Sequence, residues 1–233
     1  MTTPEIIEEL RQLGDPANIV VLDRYAITTQ YAFGIRTPEL KAFAREVKRL
    51  VADRHATAVE LWDTGFYEAR AVAFFIDDPQ RVTSEQMESW LADFDNWATV
   101  DGACGYLFCR TPFAYHKAFE WAERQPEFEK RAGFSMMAYL AVHDKKAEDS
   151  KLAPFLPVIE NHAFDSRNFV KKSINWALRQ IGKRNRDLHE LACETAKRIR
   201  LQNTTSARWI AADALRELNS EKVIERLNRK KQR

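Results

Sequence analysis

The stretch LHELACETAKRI, residues 188–199, is the clearest guide to the fold class of this chain. Its small and apolar residues recur every three or four positions, and charged residues fill the gaps. A helix has 3.6 residues per turn, so this spacing places them on one face. The stretch therefore predicts an amphipathic helix that buries one side, formed by Leu188, Leu191, Ala192, Thr195, Ala196 and Ile199.

The same helical spacing extends outward along the chain, as in Leu40, Phe43, Val47, Leu50 and Val51. Only 7 of 233 residues are glycine, and no segment shows the alternation of a strand, so the sequence predicts an all-α protein. Five prolines follow a threonine or aspartate that can cap a helix, at 3–4, 15–16, 37–38, 78–79 and 111–112. We predict helices near 3–13, 16–29, 38–52, 55–64, 66–77, 84–93, 96–109, 112–124, 127–142, 149–162, 166–182, 186–201, 205–218 and 220–229.

A faint internal repeat accompanies these helices. Basic residues fall in an early turn of four of them, and Asp101 occupies the same point of its own helix. The spacing of 30 to 41 residues is typical of HEAT or armadillo helix pairs, which bury their cores by stacking. We therefore predict a single HEAT-like repeat domain over 1–233, a right-handed α-solenoid or α-α superhelix. Its concave face would carry Arg70, Arg131, Lys172 and Arg208.

Charge is unevenly distributed along the chain. Residues 166–233 contain 18 lysines and arginines against 7 aspartates and glutamates, whereas the whole chain has a net charge of only +2. This asymmetry indicates an acidic polymer as partner, although a solvated helical end has the same composition. A basic residue once per repeat favours a phosphate backbone. The alternative for each single residue is an ion pair with an acid of a neighbouring helix.

Other sequence features limit the compartment and the chemistry. The amino terminus has no basic start followed by an apolar stretch, and the longest apolar run covers only residues 71–76. The three cysteines form no CxxC pair, and the histidines lack the spacing of a zinc site. We expect a cytoplasmic, nucleoid-associated monomer with reduced thiols, no membrane contact, no metal and no cofactor.

Residues 96–101 hold the best candidates for chemistry. The i, i+4 spacing places Trp97 and Asp101 on one face of a helix. Trp176 lies on a helix that is basic on one side and apolar on the other. The structural alternatives are an ion pair between Asp101 and Arg131, and inter-repeat packing for Trp176 and Trp209. We assign Trp62, Trp90 and Trp121 to the core.

Four segments carry a resemblance to a known family: residues 31–39 (YAFGIRTPE), 97–101 (WATVD), 128–132 (FEKRA) and 172–179 (KSINWALR). Together they resemble the AlkD-type DNA alkylation repair enzymes, bacterial HEAT-like repeat glycosylases, over nearly the whole chain. The resemblance implies a lesion site formed by Trp97, Asp101, Arg131 and Trp176. The tyrosine that precedes the Gly-Ile-x-Thr-Pro stretch in that family is matched by Tyr25.

The resemblance also implies an activity, the excision of cationic N3- and N7-alkylpurines from duplex DNA without flipping the damaged base into a pocket. An alkylated purine leaves without a general acid, so the main requirement is a carboxylate such as Asp101 beside the developing oxocarbenium sugar. Tryptophan faces attract the cationic nucleotide, by about 0.5–2 kcal/mol each. Arg131 would hold a phosphate.

We expect a monofunctional glycosylase that leaves an abasic site, because no lysine nucleophile lies beside Trp97 and Asp101 in the sequence. The alternatives are a non-catalytic protein that binds damaged or branched DNA, and a protein-binding scaffold. The expected DNA-binding residues are Tyr25, Arg70, Lys171, Lys172, Arg179 and Arg208.

Overall fold

The computed structural model describes residues 1–27 and 31–231, with side chains as far as residue 229. All regular secondary structure in these residues is helical, which confirms the all-α prediction. Contacts divide the chain into two compact units, Met1–Phe113 and Ala114–Arg233. A single repeat domain and the hand of a superhelix stay predictions.

In the first unit, the central helix contacts four others. Helix α5 packs against α1, α3, α4 and α7, and the ring of Trp62 stacks on that of Trp90 at 4.0 Å. Both rings are buried, as predicted for core tryptophans. The helices are α1 (Thr3–Leu13), α2 (Pro16–Arg24), α3 (Thr37–Leu50), α4 (Arg54–Asp63), α5 (Tyr67–Ile76), α6 (Ser84–Ala92) and α7 (Trp97–Tyr106), followed by a 3-10 turn (Phe108–Arg110).

The second unit is built from stacked helix pairs. One row consists of α9, α12 and α14, and each of these packs against a partner from the row α8, α11 and α13. Trp121 is buried in α8, again as predicted. The helices are α8 (Ala114–Ala122), α9 (Glu127–His143), α10 (Asp149–Leu152), α11 (Phe155–His162), α12 (Asn168–Gly182), α13 (Arg186–Leu201), α14 (Thr205–Leu218) and α15 (Glu221–Lys231).

Most helix bounds agree with the prediction, and the exceptions have local causes. Asp78 caps a turn rather than a helix, since α6 begins only at Ser84, after its cap Thr83. The predicted helix near 112 begins at Ala114, and the predicted helix near 149–162 is divided at Pro154, whose ring interrupts helical hydrogen bonding. The predicted helix near 96–109 ends at Tyr106 and continues as the 3-10 turn.

Helix α2 ends earlier than predicted, at Arg24. The Ala26 and Ile27 amides donate to the carbonyls of Asp23 and Leu22 at 2.9 and 3.0 Å, which is the Schellman pattern of a helix end. Ala26 occupies the left-handed position with φ 54°, where glycine is usual. Residues 28 and 29 of the predicted helix lie outside the described part of the chain.

Residues 33–35, which precede α3, are fixed by one buried carboxylate. Glu68 on α5 accepts hydrogen bonds from the backbone amides of Phe33, Gly34 and Ile35, at 2.8, 2.7 and 3.1 Å. Gly34 has φ 81°, and a Cβ there would lie 2.2 Å from the Asp15 carbonyl oxygen. Helix α5 therefore positions a loop that leads directly into α3.

Candidate functional site

The start of α7 presents the two main candidate residues. Asn96 caps the helix by accepting from the Thr99 amide at 2.9 Å, so Trp97 is the first helical residue. Asp101 follows one turn later on the same face. Both side chains are half-buried, so Asp101 is neither sealed in the core nor fully exposed.

A hydrogen bond joins Trp97 to Tyr25, another predicted residue of the first unit. Its indole Nε1 donates to the backbone carbonyl of Tyr25 at 2.8 Å, across 72 positions of sequence. The Tyr25 side chain remains 64% exposed at the end of α2. The structure thus brings Tyr25 and Trp97 together, and a role of either residue at a lesion stays a prediction.

A cavity of about 570 Å³ lies beside this pair, within the first unit. Its walls come from α2, α3, α5, α7 and the segment fixed by Glu68. Asp101 does not line it, so the cavity meets the candidate site at Tyr25 and Trp97. No sequence pattern indicates the cavity, because residues far apart in sequence form its walls. Its aromatic residues are Tyr25, Tyr67, Phe74, Phe75, Trp97 and Tyr106.

A single lysine lies against the aromatic wall of this cavity. The Lys41 ammonium donates to the Tyr106 hydroxyl at 2.6 Å and lies 4.8 Å from the centroid of that ring and 5.8 Å from that of Phe75. The aromatic faces are therefore already paired with one positive charge of the protein. Arg36, exposed at the edge of the cavity, adds a second cation.

Two further residues shape the cavity wall. Gly102 lets α7 approach α5 closely, since a Cβ there would lie 2.3 Å from the Phe74 ring. Burial, together with the nearby Glu68 and Asp95, raises the pKa of Tyr67 to about 12. The Tyr67 hydroxyl consequently stays neutral near pH 7 and can either donate or accept a hydrogen bond.

In the second unit, Arg131 and Trp176 lie on α9 and α12. Arg131 is buried, and its Nη1 donates to the Phe169 carbonyl at 2.7 Å, a contact that joins the two helices. Trp176 is half-buried and meets the Tyr139 ring edge to face, with centroids 4.8 Å apart. The expected contact of Arg131 with a phosphate stays a prediction, and the hydrogen bond to Phe169 adds a positioning role.

Arg70 and Arg179, both predicted to bind DNA, have partners inside the protein. Arg70 stacks over the Trp62 ring at 5.0 Å and pairs with Asp93 at 3.3 Å, which is the alternative weighed for a basic residue early in a helix. Arg179 pairs with Asp213 at 3.4 Å and with Glu217, linking α12 to α14. A DNA contact by either arginine stays a prediction, and the geometry adds a packing role to each.

Three predicted DNA-binding residues form what we call the basic patch: Lys171, Lys172 and Arg208, in the first turns of α12 and α14. Lys172 and Arg208 are exposed, and Lys171 lies 4.9 Å from the centroid of the Trp209 ring. Trp209 is itself 40% exposed, so it is not a fully buried core residue. Of the four basic positions in the repeat, Lys172 and Arg208 are exposed and open to a phosphate, whereas Arg70 is half-buried and Arg131 is buried.

Other predictions concern cysteines, metals and membranes. The three cysteines are free thiols, and Cys104 and Cys109 are buried, as predicted. The part of the chain with described side chains contains no group of three or more His, Cys, Asp or Glu side chains arranged to hold a metal ion. Among the described helices, none has the length and apolar character needed to cross a membrane.

Comparisons with known proteins agree with this architecture. Among solved structures, the chain is similar to a member of a new family of proteins related to the HEAT-like repeat DNA glycosylases, with affinity for branched DNA structures. The TM-score is 0.75 at 22% identity, over 93% of this chain and 95% of that chain, which shows a shared HEAT-like repeat fold. No curated protein was found to match the chain. A family model described as DNA alkylation repair enzyme matches residues 6–218, and the chain therefore belongs to the DNA alkylation repair enzyme family.

Proposed function

We propose that this chain is a monofunctional DNA glycosylase, acting as a monomer. It hydrolyses the N-glycosidic bond of cationic N3- and N7-alkylated purines in duplex DNA and leaves an abasic site. One observation carries the proposal: Asp101 is half-buried, one helical turn from Trp97, on a capped helix start. Membership of the DNA alkylation repair family supports the same chemistry.

The reaction places its main demand on the sugar. When the C1′–N bond breaks, its electron pair neutralises the cationic base, and positive charge develops on the deoxyribose. A partly desolvated carboxylate at Asp101 stabilises that charge more strongly than bulk water does. The same carboxylate orients a water molecule whose oxygen bonds to C1′, and the water's proton passes to Asp101 or to solvent.

The aromatic and basic residues bind the damaged strand. In the first unit, Trp97 offers a ring to the cationic nucleotide, and the Tyr25 carbonyl holds its orientation. In the second unit, Trp176 offers a ring to the DNA, and Tyr139 holds its orientation. The basic patch contacts backbone phosphates, so binding weakens steeply with salt. Arg131 supports α12 through the Phe169 carbonyl and so positions the helix that carries Trp176.

The proposal is tested by the Asp101→Asn variant. Release of 7-methylguanine from methylated duplex DNA should slow by about 100-fold or more, since one preorganised charge at the reacting centre has this size of effect. Asp95→Asn is the matched control, because Asp95 is an exposed carboxylate two residues before Trp97. Equal release by wild type and Asp101→Asn would remove Asp101 from the mechanism.

A second candidate function is binding of branched DNA without excision. The observation that favours it is the affinity for branched DNA structures stated for the similar solved protein. Such a protein needs the basic patch but has no use for Asp101. Tight binding of a four-way junction, with no base release from any alkylated duplex, would favour this candidate.

A further inference from the structure

The cavity beside Trp97 has no role in the reaction described above. Its volume of about 570 Å³ falls within the range of small-molecule sites, roughly 300–1,000 Å³. Its rim is open, since Val21, Tyr25 and Tyr106 all line it and are all exposed. A ligand of more than one ring can therefore enter from solvent.

The walls favour a planar ligand. Phe74 and Tyr106 lie nearly parallel, with an angle of 9° between their rings, and Phe75 meets Tyr106 edge to face. Aromatic walls of this kind bind planar rings by stacking. The Tyr67 side chain lines the cavity, and its neutral hydroxyl can pair with a polar ring edge.

The charges of the walls exclude a cationic ligand. Lys41 and Arg36 are the charged residues that line the cavity among the described side chains, and both are positive. The Lys41 ammonium already lies against the aromatic ring that a cation would otherwise use. An uncharged ring is accepted, whereas a cationic ring meets like charge in a partly desolvated site.

We propose that this cavity is a binding site for an uncharged purine base. The assignment of its natural occupant, the base released from the lesion, rests on the proposed function. An alkylpurine is cationic while it is attached to the sugar and neutral once the bond has broken. The cavity therefore binds the product and disfavours the substrate ring, which favours departure of the base.

Helix α2 is the least buried wall of this site. None of its nine residues, all of them described, is buried. Val21 lines the cavity, whereas its neighbour Val20 is exposed and does not. A larger side chain at Val21 therefore fills the cavity with little effect on the core, and the same change at Val20 is a matched control.

Equilibrium dialysis of the full chain with free 7-methylguanine tests the site. Wild type should bind the base saturably, Val21→Phe should weaken binding by about tenfold or more, and Val20→Phe should leave it unchanged. An absence of saturable binding, or equal weakening by both variants, would overturn the proposal.

A second comparison tests the charge argument, using guanosine and 7-methylguanosine at pH 6, where the methylated ring is cationic. Wild type should prefer guanosine, and Lys41→Met should reduce the preference by about tenfold. A wild-type preference for the cation would contradict the assignment. If the chain binds the free base but releases none from DNA, only the proposed function is overturned. If the chain releases the base from DNA but does not bind the free base, only the assignment of the cavity is overturned.

Discussion

The Glu68→Gln substitution gives the sharpest test of how the first unit is held together. Glu68 is fully buried and accepts three backbone hydrogen bonds from residues 33–35. Glutamine has nearly the same shape, but it carries no charge and only one acceptor oxygen. The substitution therefore removes the electrostatics of the contact and leaves its packing intact.

The expected loss of stability follows from these three hydrogen bonds. The remaining oxygen can keep the Gly34 and Ile35 amides, which both donate to Oε1, while the new amide group faces the Phe33 amide, donor against donor. A hydrogen bond to a charged group is worth about 1.5–3 kcal/mol, and the two retained bonds also weaken without the charge. We expect a loss of about 3–5 kcal/mol in the free energy of unfolding.

Urea unfolding followed by tryptophan fluorescence measures this change, because the first unit contains Trp62, Trp90 and Trp97. A thermal scan should show a decrease in Tm of about 6–20 °C, at roughly 2–4 °C per kcal/mol for a chain of this size. Glu46→Gln is the control, since Glu46 is exposed on α3. A loss below about 1 kcal/mol in Glu68→Gln would refute the anchoring role of this carboxylate.

Three further predictions concern a helix end, a half-buried acid and the basic patch. Ala26→Gly should raise the free energy of unfolding by about 0.5–1 kcal/mol in urea, because glycine relieves the left-handed strain; a decrease would contradict this. Burial raises the pKa of Glu217, but Lys183 and Arg179 outweigh it and hold the pKa below 4.5. The stability that ionised Glu217 contributes is present above pH 4.5 and is lost as the pH falls through the lower pKa of the folded state. Glu217→Gln should therefore reduce the loss of stability that is measured in acid. An unchanged pH profile would contradict the role of these ion pairs. Lys172→Ala and Arg208→Ala should each reduce the salt slope of DNA binding by about 1, and Arg70→Ala should lower stability instead; unchanged slopes would exclude the basic patch as the phosphate contact.

The helices were predictable because local rules decide them. Asp15 caps α2 by accepting from the Ala17 amide at 2.9 Å, and the periodic stripe around Leu188 is buried in α13. Leu191 is the exception: it was predicted to lie on the buried side and is 42% exposed. Pro154 is a position where the apolar pattern alone misleads. Buried apolar residues continue on both sides of it, but the helix is interrupted there. A proline inside a periodic run divides a helix even when the apolar pattern does not change.

The environment of each basic repeat position was not predictable from the sequence. Arg70 and Lys172 occupy the same early turn of their helices, but Arg70 stacks on Trp62 and pairs with Asp93, whereas Lys172 is exposed. The difference depends on which side chains of neighbouring helices lie opposite, and the spacing within one helix does not encode it. Sequence periodicity thus predicts the face of the helix on which a residue lies, but it does not predict which residues of other helices contact it.

The candidate site was predictable only in part, for the same reason. The pair Trp97 and Asp101 follows from i, i+4 spacing, so its common face could be read directly. The hydrogen bond from Trp97 to Tyr25 spans 72 residues, and the contact of Lys41 with Tyr106 spans 65. Neither leaves a local pattern, so the cavity that these contacts border appears only in three dimensions.

The proposed glycosylase breaks a glycosidic bond and does nothing further to the DNA. Single-turnover incubation of the wild-type chain with a duplex bearing one labelled 7-methylguanine measures this directly. The expected products are free 7-methylguanine and an abasic strand that stays intact until it is treated with alkali. Bound but unchanged duplex would contradict the glycosylase assignment, and spontaneous strand cleavage would contradict the monofunctional mechanism.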